Sequence, residues 1–369
     1  MVPTRSSHPY WMYEEMTATP DALDRLLVPD ALQRERLGEV AKRLAGAGRI
    51  YLTGCGTAYH AALVGAAFLR DFTDSAVDAR PVQAFELAHY ERATIQTGDA
   101  LIALSHSGKP LETNAALAAA REAGAYCVTM TGFLDSPAAR SADAVLDVGY
   151  GDVKSFAYTI SYSLMLAALA SLAAQVAAAT GRESAYVAHE AQVRVLPLMH
   201  RNALALDAEV QALAERLRDH RRWIFAGAGG NVATALEVAL KMQETNYTSS
   251  FGMEMEEVLH GPVAALGDSV LVVIAPPGAG RPRAFDLLRA ARTLGGPTVA
   301  LGEAGDPELA AAADTFLALP GCPEDISPAP YHVPLHLLSY WLAVATGTNP
   351  DLMRRNEQRY LDARRAYTL

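Results

Sequence analysis

Two short stretches decide the fold: residues 49–56, RIYLTGCG, and residues 222–229, RWIFAGAG. Each is an apolar, strand-like run that ends in a turn containing two glycines, and the second follows the first by about 170 positions. A stretch rich in Ala and Leu with helical periodicity comes after each turn. A strand, a tight turn and a helix in that order are typical of a βαβ unit with a buried parallel sheet.

The same alternation continues outward from both stretches. Strand-like runs recur at residues 100–104, 126–130 and 144–148 in the first half and at 270–275 and 299–301 in the second. Strands that alternate with helical patterns indicate parallel sheets. Because the repeat is as long as a domain, the sequence predicts a duplicated α/β domain rather than a solenoid.

This repeat gives the domain organisation that we expect. A long helical stretch from about residue 187 to 220 would join the two copies. The expected segments are an N-terminal helical segment at 1–38, a first domain at 39–185, a second domain at 186–350 and a C-terminal tail at 351–369.

The composition fits a globular protein with ordered cores. The 369 residues are 51% hydrophobic and 20% charged, which argues against disorder as the dominant state. A net charge of −10 argues against a nucleic-acid partner, since such a surface needs clustered Lys and Arg. The wide spacing of the three cysteines, Cys55, Cys127 and Cys322, indicates neither a metal site nor a disulfide framework. It predicts a reducing, cytoplasmic setting.

We expect no membrane segment. The start of the chain, MVPTRSSHPYWMYEEM, lacks the apolar core of a signal peptide. Residues 155–180 carry no charge and are long enough to raise the question of a membrane span. They are mostly Ala with interspersed Ser, Thr, Tyr and Gln, so we predict a buried helix of a soluble core.

One turn of the first copy has the composition of an anion site. Residues 105–110 read SHSGKP, whereas the matching turn of the second copy, residues 276–280, has no hydroxyl. Free N–H groups at a helix start suit a phosphate, and we place the helix N-cap at Ser107 or Gly108. Residues 54–57 supply a second turn of small residues nearby. An ordinary N-cap is the alternative to a phosphate cradle, and a nucleotide P-loop is disfavoured because GxxxxGK[ST] is absent.

A charged helix in the second copy is the other candidate. Glu237, Lys241 and Glu244 are spaced so that they share one helix face, and a solvated stripe of ion pairs is the alternative to a functional cluster. His260 follows at a Gly-Pro turn beside an acidic stretch, where a structural role is the alternative. A carboxylate, a lysine and a histidine could together move protons at a carbon next to a carbonyl.

Together these elements resemble the sugar isomerase (SIS) domain family, and within it the isomerase half of the glutamine–fructose-6-phosphate aminotransferases. The likeness is colinear over nearly the whole chain. The shared motifs are TGCGT at 53–57, LSHSG at 104–108, VKSF at 153–156, ALEVALKMQE at 235–244, LHGP at 259–262, YHVPLHLLSY at 331–340 and GTNPD at 347–351.

The resemblance implies two tandem SIS domains, each a flavodoxin-like or Rossmann-like α-β-α sandwich, that bind a sugar 6-phosphate near their seam. It makes Glu244 the base that shuttles a proton between C1 and C2, Lys241 its supporting lysine, and His260 the ring-opening histidine supplied by a neighbouring subunit. A homodimer with shared active sites is therefore expected. The residues implied to hold the phosphate are Gly56, Thr57, Ser105, His106, Ser107 and Gly108.

Departures from the aminotransferase pattern shape the expected reaction. The chain starts Met1-Val2-Pro3 without the cysteine of a glutaminase, and no lysine follows Lys241, so neither ammonia release from glutamine nor a tail imine is expected. Leu259, Ala58 and Pro110 replace further family residues. We therefore expect an enzyme on an amino-sugar or ketosamine 6-phosphate, similar to deglycases and SIS-type deaminases, with no metal or cofactor. A non-catalytic sugar-phosphate sensor, or an isomerase subunit fed by a separate glutaminase, is the alternative.

Overall fold

The computed structural model describes residues 4–28 and 30–368, and within them the duplicated α/β architecture is confirmed. The expectation that rests on Met1-Val2-Pro3 lies outside the described residues. The strands are β1 Ile50–Gly54, β2 Ala79–Gln83, β3 Ala100–Leu104, β4 Tyr126–Thr131, β5 Ala144–Asp147, β6 Arg222–Gly227, β7 Ser249–Glu254, β8 Val270–Ala275, β9 Thr298–Glu303 and β10 Thr315–Leu319.

The helices follow the strands on the alternating pattern of βαβ units. They are α1 Trp11–Leu26, α2 Ala31–Ala45, α3 Thr57–Phe72, α4 Ala84–His89, α5 Leu111–Glu122, α6 Pro137–Ser141, α7 Thr159–Ala179, α8 Glu183–Arg194, α9 Leu196–Leu204, α10 Asp207–Leu217, α11 Asn231–Thr245, α12 Met255–Leu259, α13 Arg281–Leu294, α14 Pro307–Ala312, α15 Pro328–Ala345 and α16 Gln358–Arg364. Two short 3₁₀ helices span Arg92–Thr94 and Pro262–Asp268.

Both sheets are parallel and share one topology. The first has the order β2-β1-β3-β4-β5 and the second the order β10-β9-β8-β6-β7, so the first strand of each copy lies between its second and third. Strands β1, β3 and β8 are fully buried, as expected for strands covered by helices on both faces. Each buried Leu, Ile or Val side chain contributes about 1.5–3 kcal/mol, so these central strands anchor the cores.

The predicted strands all exist, but three further strands were not predicted. These are β2, β7 and β10, and each lies at an edge of its sheet. The side chains of β2 and most of those of β7 are partly or fully exposed. Edge strands of this kind lack the continuous apolar run by which the central strands were recognised.

The helical stretch predicted over 187–220 consists of three separate helices. The structure has α8, α9 and α10 there, with breaks at Val195 and at residues 205–206. Pro197 explains the first break, because proline has no N–H and its ring clashes with the preceding turn, so it fits only near the start of α9.

The uncharged stretch forms α7, and the prediction of a buried helix is confirmed. Thr159–Ala179 is long and apolar enough to cross a membrane, yet 83% of its most apolar window is buried inside the protein. A helix that is apolar all round is typical of a core, since every face needs an apolar neighbour.

The described chain divides into two compact units. The first unit holds the first sheet and comprises Ala18–Val153, Ile160–Pro197 and the stretch from Arg354. The second unit holds the second sheet and comprises Leu198–Met353, the short segment Lys154–Thr159 and the stretch that ends at Thr17. The domain bounds given from the sequence, 39–185 and 186–350, stay a prediction.

Candidate functional site

Two turns of the first unit meet at the carboxyl edge of its sheet. The glycine turn (residues Gly54–Thr57) follows β1 and the serine turn (residues Ser105–Gly108) follows β3. These strands are neighbours, with Thr53 paired to Ala103, so both turns emerge at the same level. The chain order reverses between β1 and β3, and open α/β sheets bind ligands at such a point.

The serine turn is a tight loop that precedes its helix. The N–H of Gly108 donates to Ser105 Oγ at 3.0 Å, and the N–H of Lys109 donates to Ser107 Oγ at 3.4 Å. Gly108 has φ +64°, and a Cβ there would lie 2.1 Å from Ser136 Oγ, so only glycine fits.

The N-cap predicted at Ser107 or Gly108 is wrong. Helix α5 begins at Leu111 with Pro110 in the cap position, and no side chain caps it. Proline is easily accommodated at a helix start, and the cap position at Pro110 lies three residues past Ser107. An ordinary cap therefore does not account for the two serines.

The glycine turn opens directly into α3. Gly56 occupies its N-cap position with φ +55°, and Thr57 is its first residue. A Cβ on Gly54 would lie 2.8 Å from the backbone of Ala58, so this glycine allows the helix to start against the strand. The start of a 16-residue helix beside the serine turn places a positive dipole end at this edge.

His106 lies within the serine turn, but other parts of the first unit hold its ring. The backbone of Gly151 is hydrogen-bonded to the imidazole, and Phe133 packs edge-on against it with centroids 5.5 Å apart. Burial lowers the pKa of His106 below its ordinary value, and the bond to Gly151 opposes that shift only in part. The ring is therefore mainly neutral at pH 7, and its role toward a phosphate stays a prediction.

The corresponding turn of the second unit is occupied by the protein itself. The N–H of Ala279 donates to Glu324 Oε2 at 3.2 Å. A Cβ on Gly278 would lie only 2.0 Å from that carboxylate. The turn after β8 thus holds an internal carboxylate, which strengthens the predicted difference between the two copies.

The charged face of α11 is buried, so the solvated stripe of ion pairs is excluded. Glu237 and Lys241 have no exposed side-chain surface, and Glu244 keeps 13% of its own. Lys241 Nζ lies 3.4 Å from Glu237 Oε1 and 2.5 Å from Glu244 Oε2. Burial by itself would lower the pKa of Lys241, but the two carboxylates outweigh it and raise that pKa above its ordinary value.

A layer of buried histidines lies behind this face. His336 Nε2 is 3.8 Å from Glu237 Oε1, and the rings of His336 and His332 are 4.8 Å apart. His200 on α9 lies 5.6 Å from His332, whose Nδ1 is 3.0 Å from the carbonyl of Pro328. Because a carbonyl only accepts, Nδ1 of His332 carries the proton.

We did not single out these three histidines from the sequence. The signal was present in YHVPLHLLSY, where His332 and His336 are four residues apart in an otherwise apolar helix. His200 comes from a different helix, so its place in the layer depends on tertiary packing.

The structure does not bring His260 into this cluster. Its side chain is 71% exposed, and its Nε2 lies 3.0 Å from Glu256 Oε1, which also pairs with Arg283. Within the described residues, no hydrogen bond or ion pair joins His260 to Glu244 or Lys241. Over the same residues, no group of three or more His, Cys, Asp or Glu side chains is placed to hold a metal ion.

These features define a class: a duplicated flavodoxin-like α/β protein with a candidate anion-binding turn in one copy and a buried carboxylate–lysine pair in the other. Residues 43–175 and 216–346 match the SIS domain, and the chain belongs to this family. The resemblance inferred from the motifs is thereby confirmed.

The relatives agree with this assignment. Over 351 residues the chain is 32% identical to the glutamine–fructose-6-phosphate aminotransferase [isomerizing] of Pyrococcus horikoshii, covering 95% of this chain and 57% of the relative. It thus spans little more than half the length of the relatives it matches. The C-terminal domain of the glucosamine–fructose-6-phosphate aminotransferase from Francisella tularensis has the same fold, with a TM-score of 0.84, 20% identity and coverage of 93% and 98%. The tagatose-6-phosphate ketose/aldose isomerase of Escherichia coli also shares it, with a TM-score of 0.78, 21% identity and coverage of 95% and 97%.

Proposed function

We propose that the protein is an enzyme that acts on an amino-sugar or ketosamine 6-phosphate. It would open the sugar ring, transfer a proton between C1 and C2, and release the amine. The observation that carries the proposal is the contact of 2.5 Å between Lys241 and Glu244 on a buried helix face. An ion pair with a purely structural role could be fully buried. Glu244 keeps part of its side chain exposed, so a substrate can reach its carboxylate.

The proposed chemistry assigns each group one role. Glu244 takes the proton from the carbon that bears the amine and returns it to the neighbouring carbonyl carbon. A second proton passes from the nitrogen to the carbonyl oxygen, so the amine becomes an imine and the carbonyl becomes a hydroxyl. Water hydrolyses the imine, which releases the amine and leaves a carbonyl on the sugar phosphate. The ammonium of Lys241 stabilises the negative charge that develops as the proton leaves.

His260 is proposed to open the ring by moving a proton between the anomeric hydroxyl and the ring oxygen. Its side chain is exposed just after α12, and this exposure favours contact with a substrate held by another subunit, in keeping with a homodimer whose subunits share active sites. An imidazole has two ring nitrogens and can both give and take this proton. The homodimer, the cytoplasmic setting and this role of His260 belong to the proposal.

The phosphate is proposed to bind at the glycine and serine turns. Thr57, Ser105 and Ser107 would donate from their hydroxyls, while Gly56 and Gly108 let the backbone approach closely. The position at the strand switch point of the first sheet supports this assignment. The name of the Pyrococcus relative, which acts on fructose 6-phosphate, supports a hexose phosphate as the substrate class.

The test compares parent and Glu244→Gln in deuterated water, with glucosamine 6-phosphate and fructosamine 6-phosphates as substrates. The parent should release amine and incorporate deuterium at C1 or C2. The variant should bind the substrate but lose both activities by about 10²–10⁴-fold, the usual contribution of a general base. A variant with full exchange would contradict the role of Glu244. Binding by the parent without exchange or release would instead identify a sensor.

A further inference from the structure

The two turns proposed to bind phosphate supply only neutral donors. Hydroxyls come from Thr57, Ser105 and Ser107, and backbone N–H groups from the turns themselves. His106 adds no charge at pH 7, because burial lowers its pKa. Yet a phosphate ester carries between one and two negative charges near neutrality. A site built from these groups alone has no cationic side chain to balance the negative charge of the phosphate.

Lys109 stands immediately after the serine turn and is exposed. Its backbone is fixed there, because its N–H donates to Ser107 Oγ. Within the described residues its ammonium makes no hydrogen bond or ion pair. Glu112, three residues further along the same helix start, would be the natural partner. It lies instead 2.7 Å from His89 Nε2.

The other cations of α5 and α6 are engaged. Arg121 donates to the carbonyl of Ser141, and Arg140 to the carbonyl of Asp135. Arg92, just before β3, pairs with Glu122 at 2.8 Å. Lys109 therefore differs from these neighbouring arginines in having its charge available.

We propose that Lys109 is the specificity residue that binds the substrate's phosphate as its dianion. The inference rests on the proposed phosphate site, and it adds the charge state that the site selects. An ammonium beside a dianion gains about twice the Coulomb energy that it gains beside a monoanion at the same distance. Binding should therefore strengthen as pH rises through the second phosphate pKa, which is about 6.

The experiment measures binding of glucosamine 6-phosphate and of inorganic phosphate by calorimetry from pH 5 to 8. It uses the Glu244→Gln protein so that no turnover occurs. Lys109→Ala should weaken binding of both ligands about five- to tenfold at pH 7.5, because an exposed ammonium–phosphate pair contributes little more than a surface charge-assisted hydrogen bond. The loss should be much smaller at pH 5, where the phosphate is a monoanion. Lys109→Arg should keep most of the affinity, because it keeps the charge.

Lys42→Ala is the matched control, since Lys42 is an exposed lysine of the same unit and lies on α2. It should bind like the parent at every pH. Equal loss in both lysine variants, or a Lys109→Ala protein with unchanged affinity and pH dependence, would overturn the proposal. A protein that binds phosphate with this pH dependence but releases no amine in the parent form would sustain the role of Lys109 and refute the proposed enzyme activity.

Discussion

Lys241 is a single charge shared by the buried carboxylate of Glu237 and the largely buried carboxylate of Glu244, and its removal should be costly. Lys241→Met would leave Glu237 and Glu244 side by side without a cation. Breaking a buried ion pair in this way costs about 3–5 kcal/mol. We expect a fall of this order in the free energy of unfolding, measured by urea denaturation at pH 7.5. Lys42→Met, on the exposed face of α2, should change it little, and equal stability of the two variants would contradict the buried cluster.

At the residue scale, the carboxyl of Glu15 keeps its proton up to an unusually high pH in the folded protein. Burial raises its pKa to about 7, although the backbone N–H groups of Lys154 and Ser155 donate to it and pull the pKa down in part. A carboxyl whose folded pKa lies above its unfolded pKa contributes stability that is full below about 4.5 and is lost as pH rises through about 7.

Glu15→Gln should remove this dependence. The amide oxygen can still accept from both N–H groups but carries no charge at any pH. Between pH 5 and 8 the parent should lose on the order of 3 kcal/mol more than the variant, measured as midpoints of thermal or urea unfolding. Glu14→Gln, at an exposed neighbouring position, is the control and should follow the parent. Parallel curves for parent and Glu15→Gln would contradict a neutral buried Glu15.

At this scale the sequence predicts which residues share a helix face or a turn better than it predicts the groups that surround them. The spacing of Glu237, Lys241 and Glu244 indicates a shared helix face, and their contacts bear this out. Spacing alone leaves open whether that face is solvated or buried, because burial depends on the packing of α15 against α11. His106 shows the same limit: its place in the turn follows from sequence, but the backbone that holds its ring comes from residue 151.

At the scale of elements, α15 is a core helix that contains two buried histidines. Burial, together with the neighbouring His200, lowers the pKa of His332 to about 3, and burial and the nearby His332 and Lys241 lower that of His336. Glu237 and Lys241 face these rings from α11. A base with a lowered folded pKa contributes stability that is present above about 6.5 and is lost as pH falls toward its folded pKa.

This layer should therefore make the protein sensitive to acid. His332→Gln removes one group that must remain neutral in the fold, so its stability should fall less steeply than that of the parent between pH 6.5 and 4. The measurement is the unfolding midpoint by circular dichroism across that range. His89→Gln, at an exposed ring, should keep the parent slope. A His332→Gln protein with the parent's full slope would show that the layer is not the source.

The strands that are buried on both faces of their sheet could be predicted from the sequence. Central strands such as β3 and β8 read as continuous apolar runs, and both were predicted with their bounds. The edge strand β2 reads ARPVQ and carries no such run, and its pairing with β1 depends on a neighbour about thirty residues away. Helix breaks at prolines such as Pro197 follow local rules, so the break between α8 and α9 can be predicted from the sequence.

At the scale of the whole molecule, the proposed sharing of active sites predicts complementation. Glu244→Gln and His260→Ala should each be inactive as pure proteins. When the two are unfolded together and refolded, mixed dimers would contain one site with both groups intact, so up to about a quarter of the parent activity per dimer mixture should return. Activity is measured by release of amine, and refolding each variant alone is the control. Stable mixed dimers without activity would place both groups on one subunit.

The interleaving of the two units limits how this protein can be recombined. The second unit includes Lys154–Thr159 and the stretch that ends at Thr17, both of which precede all strands of its sheet in the chain. A chimera that joins one half of this protein to the other half of a relative at a single junction near residue 186 would therefore mix parental sequences inside one core. Exchanging a whole unit requires a graft with several junctions.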